Sequence, residues 1–145
     1  ASLSVAKLDG SFEVESSGTL RNKEGNAGPS FTWTHSFSGD GFSKTVELSS
    51  AANVQIVEPF VDNAGNRYTV EGSDTFVISD AAGKQWQLTI DQSSVPYTLS
   101  HGEERDRYYV PFPGFNCYPL IIRLDSPDAA SITYTVSARP IGSKP

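Results

Sequence analysis

Residues 101–118 hold the densest chemistry of the chain: His-Gly-Glu-Glu-Arg-Asp-Arg-Tyr-Tyr-Val-Pro-Phe-Pro-Gly-Phe-Asn-Cys-Tyr. Glu103, Glu104, Arg105 and Asp106 follow one another and lead into Arg107, Tyr108 and Tyr109. Pro111, Pro113 and Gly114 then restrict the backbone around Phe112 and Phe115. Charged donors and acceptors address hydroxyl groups, and rigid rings stack on the apolar faces of sugars. The segment is therefore the candidate site for a glycan or another small polar ligand, with His101, Arg105, Asp106, Arg107, Tyr108 and Asn116 as its binding set. The competing reading is a polar turn followed by an ordinary strand whose rings face the core. On a strand at 107–112, Tyr108 and Tyr109 point to opposite faces. Tyr109 is then expected in the core beside Leu120 and Ile122, and Tyr108 beside the charged run.

Other chemistry is thin. His35 and His101 are the only histidines, and no His-x-His or Cys-x-x-Cys spacing marks a zinc site. Cys117 is the only cysteine and sits among aromatics just before an apolar run, as a buried, inert thiol does. No Gly-x-Ser-x-Gly elbow presents a nucleophilic serine. Asp62, Asn63, Asn66 and Asp80 would place oxygens near a calcium ion if their two turns were neighbours. The Asp-x-Asp-x-Asp-Gly loop is missing, however, and Asx residues favour turns through their own backbone hydrogen bonds. Paired carboxylates for glycoside hydrolysis need a cleft, and nothing selects Glu13 with Glu15, or Glu47 with Glu58, as such a pair. The sequence thus nominates no catalytic residue, no metal ligand and no cofactor.

Strict two-residue alternation supplies the elements that must carry these side chains. Phe31, Trp33, His35 and Phe37 share one parity, as do Trp86, Leu88 and Ile90, and Ile132, Tyr134 and Val136. Each run has one face to bury and one to wet, and on that parity both tryptophans are expected in the core. Strands are expected near 10–16, 31–37, 42–48, 53–61, 66–71, 74–79, 84–90, 95–100, 107–112, 119–125 and 130–138, about ten in all once one or two merge. Asp62-Asn63-Ala64-Gly65-Asn66 and Asp80-Ala81-Ala82-Gly83-Lys84 read as type I turns closed by a left-handed glycine. Leu120, Ile121 and Ile122 are consecutive apolar residues, so 119–125 is expected to be a central strand covered on both faces. Residues 16–30, with Leu20 as the sole sizeable apolar group, read as a long polar loop. No segment holds a helical period. The fold class that follows is all-β: one antiparallel two-sheet β-sandwich of jelly-roll or immunoglobulin-like character over residues 1–145, with essentially no helix.

Composition narrows the partners. The 145 residues carry a formal net charge of -6, which disfavours nucleic acid and anionic membrane surfaces. No apolar run is long enough for a membrane helix. Ala1-Ser2 at the start fits removal of either a signal peptide or an initiator Met. Ser, Thr and Gly richness with no Met points to a secreted or cell-surface protein and leaves a cytoplasmic one open. In size, acidity, β content and its aromatic-rich loop, the chain resembles secreted carbohydrate-binding modules and small lectins in kind. No motif matches residue by residue, so no site residue is carried over. The favoured function is a non-catalytic module that recognises glycan through loops at one end of the sandwich. The alternative is a structural or protein-interaction domain of adhesin, virion or toxin-accessory type, making contact through flat strand faces or an open edge. A small hydrolase ranks third.

Overall fold

The computed structural model describes residues 2–8, 10–61, 65–101, 108–109 and 116–139. Twelve strands and no helix are present among them: β1 Ser2–Leu8, β2 Ser11–Arg21, β3 Ala27–Ser38, β4 Gly41–Leu48, β5 Ala51–Val61, β6 Arg67–Glu71, β7 Thr75–Ser79, β8 Gln85–Ser93, β9 Tyr97–His101, β10 Tyr108–Tyr109, β11 Asn116–Ser126 and β12 Ala130–Arg139. They form two antiparallel sheets, as the alternation requires. Sheet A runs β1-β2-β3-β4-β12-β8-β7-β6. In sheet B, β11 lies centrally, with β5 on one side and β9 and β10 as its other partners.

The core lies between the sheets. Sheet A contributes Val46 and Leu48 from β4, Ile132, Tyr134 and Val136 from β12, Leu88 and Ile90 from β8, and Phe76 and Ile78 from β7. Sheet B answers with Ile56, Leu120, Ile122 and Leu124. Ile121 and Pro119, on the opposite parity of β11, are buried as well, so this strand is covered on both faces at 119–122, whereas Arg123 and Asp125 farther along the same face are exposed.

Sheet A is wider than sheet B, and that difference shapes the molecule. Lys44 of β4 reaches Glu58 of β5, and Tyr68 of β6 stacks on His101 of β9, so sheet B spans β4 to β6. Strands β1–β3 overhang its β5 edge. Trp33 faces the core side yet remains 38% exposed, because sheet B stops short of it. Trp86, near the start of β8, is 46% exposed. Both tryptophans therefore leave the core to which their parity assigned them. Alternation reports which side a residue faces, not whether anything lies over it.

The polar loop expected at 16–30 is also corrected. β2 continues to Arg21 and β3 begins at Ala27, paired through Gly18↔Phe31, Thr19↔Ser30 and Arg21↔Ala27. Only five residues turn. Asn22 N–H donates to the Asn26 carbonyl (3.1 Å), Gly25 N–H to the Asn22 carbonyl (3.0 Å), and Asn26 N–H to Asn22 Oδ1 (2.8 Å). The 80–84 turn repeats this scheme at 2.9, 3.1 and 2.8 Å between Asp80, Gly83 and Lys84. Gly25, Gly65 and Gly83 take φ of 84°, 89° and 86°, the left-handed region that favours glycine.

Candidate functional site

Among the described residues, a buried ionic cluster, an apolar groove and a more polar cavity stand out. In the cluster, His35, Lys44 and Tyr134 are register neighbours across β3, β4 and β12. Glu58 reaches them from sheet B, accepting from Lys44 Nζ at 2.9 Å and from the Tyr134 hydroxyl. Lys44 is 4% exposed, and its ammonium lies 4.4 Å from the centre of the Trp33 ring. Burial, then the Glu58 charge, pushes the Tyr134 phenol far above its usual range, so it stays a neutral donor. Burial, then the Lys44 charge, lowers the His35 pKa against the opposing pull of Glu58. Each charge in this cluster has its partner, and Tyr134 is sealed from solvent. This is structural anchoring of one sheet to the other.

The second place is an apolar groove of about 190 Å³ where the overhang meets the β5 edge. Leu20, Phe31, Trp33 and Lys44 line one side, and Val54, Gln55 and Val57 the other. The third is a more polar cavity of about 350 Å³ at one end of sheet B, lined by Asn53, Gln55, Pro96, Tyr97, Thr98, Arg123 and Asp125 among others.

The strands explain why these polar groups converge. Ile122 and Leu124 point into the core, so Arg123 points out, beside its register partners Gln55 and Thr98. The next step along the sheet is irregular. Leu124 pairs with Val54 but Ser126 pairs with Ala51, so Ala52 and Asn53 together face Asp125. Such a bulge bends a strand and re-aims its side chains. Asn53 takes φ of 51°, and its N–H donates to Asp125 Oδ1 at 3.1 Å. Asp125 is thereby held at the cavity rim. Tyr97 is kept neutral, first by burial and then by the Asp74 charge, both of which raise its pKa. One guanidinium, one carboxylate, two side-chain amides and two hydroxyl-bearing side chains can exchange hydrogen bonds with several hydroxyls at once, at no net charge.

The set expected from sequence fares differently. His101 is exposed at the far end of β9 from this cavity, stacked on Tyr68 at 5.9 Å. Arg105, Asp106 and Arg107 lie outside the described residues, as do the side chains of Tyr108, Tyr109, Asn116 and Cys117. The backbone pairs Tyr108 with Cys117 and Tyr109 with Asn116. Glu47 is exposed and Glu58 engaged by Lys44 and Tyr134, so those two carboxylates do not pair. Asp80 Oδ1 accepts from the backbone N–H groups of Ala82 and Lys84, the turn-forming role. Among the described residues no three His, Cys, Asp or Glu side chains gather as metal ligands would. Asp62 and Asn63 of the proposed calcium turn lie outside them.

Sequence reasoning passed over Arg123, Asp125 and Asn53, which become a group only when β5, β9 and β11 are adjacent. The Lys44–Glu58 pair did leave a signal. Lys44 stands on the apolar parity of Phe42, Val46 and Leu48, where a lysine needs a buried partner.

Comparison with known proteins agrees with this architecture. The sequence matches the Ulvan lyase C-terminal domain family over residues 1–139, and the chain belongs to that family. This makes it a carbohydrate-associated module. Among solved structures, a heparinase III gene product aligns with a TM-score of 0.50 at 12% identity, over 89% of this chain and 19% of its own length. At that identity the likeness is one of fold. The search of curated proteins finds no match.

Proposed function

We propose that this member of the Ulvan lyase C-terminal domain family is a non-catalytic glycan-binding module. The observation that carries the reading is the bulge-built cavity at the end of sheet B, where Arg123, Asp125, Gln55, Asn53 and Thr98 converge. Its size suits one or two sugar units, since ligand sites start near 300 Å³. Its balanced charge suits neutral hydroxyls rather than a polyanion. Pro96 and Tyr97 add apolar wall for the sugar's C–H face. The same reading makes the protein a secreted or cell-surface one. No helix among the described residues is long and apolar enough to cross a membrane.

The experiment is a glycan array followed by titration calorimetry with the best neutral oligosaccharide. Arg123→Ala and Asp125→Asn should each weaken binding tenfold or more. Stability should stay within about 0.5 kcal/mol, as for most exposed positions. Arg107→Ala is the companion variant, because the 101–118 set remains the second proposal for the contacts. Loss of binding in Arg107→Ala alone would move the site there.

A further inference from the structure

We propose that the overhang of sheet A, the uncovered face of β1–β3, seats a folded domain that precedes this one in the same polypeptide. The overhang is two-faced. On the core side stand Leu3, Val5, Phe12 and Trp33, exposed by 70, 66, 45 and 38%. On the other stand Ser4, Glu13, Glu15 and Thr34. Strands wetted on both sides have no use for this alternation, and a contiguous apolar face left open marks an interaction surface. Its rings form one sheet of contacts: Phe12 stacks on Phe37 at 4.7 Å, and Phe37 on His35 at 5.6 Å. The face runs without a break into the groove beside β5, which offers a notch for a side chain of the partner.

The occupant follows from chemistry and from connectivity. Aliphatic Leu3 and Val5 beyond the rings suit a protein surface better than a sugar, which asks for hydroxyl partners. β1 pairs with β2 alone and is the outermost strand. Any segment joined ahead of Ser2 therefore arrives directly at this face. The family takes its description from a C-terminal position, and this chain spans 19% of the heparinase III gene product of like fold. A tethered domain meets the face at millimolar effective concentration, so a modest apolar patch suffices. The docking face and the glycan cavity at one end of sheet B meet only at β5, where Gln55 borders both the groove and the cavity, and Leu3, Ser4 and Val5 border neither.

The test compares thiol labelling of Val5→Cys and Ser4→Cys, neighbours on opposite faces, in the full-length encoded polypeptide and in the 145-residue chain. Peptide mass analysis scores Cys117 separately, and Leu3→Cys repeats the apolar-side measurement. The expected result is labelling at least tenfold slower for Val5→Cys and Leu3→Cys in the full-length protein, with Ser4→Cys unchanged. Equal rates for Val5→Cys in both proteins would overturn the proposal. So would protection in the 145-residue chain that grows with its concentration, which would assign the face to a second copy. A coding sequence with no folded segment ahead of Ser2 would also end it.

Discussion

Lys44 sits where a leucine would be expected, and the cost of that choice is recovered only through Glu58. Removing one partner of a buried pair strands a charge, at about 3–5 kcal/mol. Lys44→Met should therefore be strongly destabilising in urea melts. Adding Glu58→Gln should restore much of the loss, because the glutamine is uncharged and its Oε1 still accepts from the Tyr134 hydroxyl. A double variant no better than the single would mean that Lys44 acts through packing on Trp33 instead. His35 gives a pH signature. Its pKa is lowered in the fold, so the folded state prefers the neutral ring, and the unfolded chain binds the proton first. The stability this provides is complete above pH ~6.5 and falls away as the pH drops through the depressed folded value. Melting temperature should thus decline between pH 7 and 5, and decline less in His35→Gln. A steeper decline in the variant would exclude His35 protonation as the cause.

The turns at 22–26 and 80–84 share one design, and the sequence carries its pattern three times. Asn22-Lys-Glu-Gly25-Asn26 has the same pattern as the Asp-x-x-Gly turns at 62–66 and 80–84, including the Asx at its start and the glycine three residues on. It was hidden by its flanks. Ser16, Ser17, Gly18 and Thr19 on one side and Gly28, Pro29 and Ser30 on the other look like loop, because this end of the β2–β3 hairpin has little to bury. The existence of strands was legible from parity, and their ends were not, because backbone pairing extends beyond the buried stretch. The turns separate two costs of a side chain at φ near +90°. A Cβ on Gly83 meets nothing within 4 Å, so Gly83→Val should register conformational strain alone, about 1–2 kcal/mol. A Cβ on Gly65 would come within 2.9 Å of Ala81 Cβ. Gly65→Ala should therefore cost more than Gly83→Ala, and Ala81→Gly in the same chain should recover only the contact. Equal thermal shifts for the two alanine variants would show that the turns do not touch in solution.

At the scale of the whole molecule, the decisive quantity is how far one sheet lies over the other, and no local pattern encodes it. Trp33 and Leu88 read alike in sequence, each apolar between polar neighbours, yet one is 38% exposed and the other 1%. What separates them is that β8 lies under sheet B and β3 lies past its edge. The cavity of Arg123 and Asp125 was equally unreadable, since its walls come from three strands brought together by the fold. The width mismatch has a measurable consequence for stability. β12 runs through the middle of sheet A with Ile132 and Tyr134 at 0% exposure, so Ile132→Ala should cost about 2–5 kcal/mol. Among the described side chains none of β1 belongs to the core cluster, and β1 pairs only with β2. Deleting residues 1–10 removes edge hydrogen bonds whose net worth is small against water, and exposes little that was buried. The shortened chain should stay folded, with its melting temperature lowered by a few degrees, in keeping with roughly 1 kcal/mol at this size. Calorimetry decides the matter: loss of the cooperative transition would make β1 part of the folding unit. Retention would mean that a strand with apolar side chains, dispensable for stability, is explained by what it meets outside this domain.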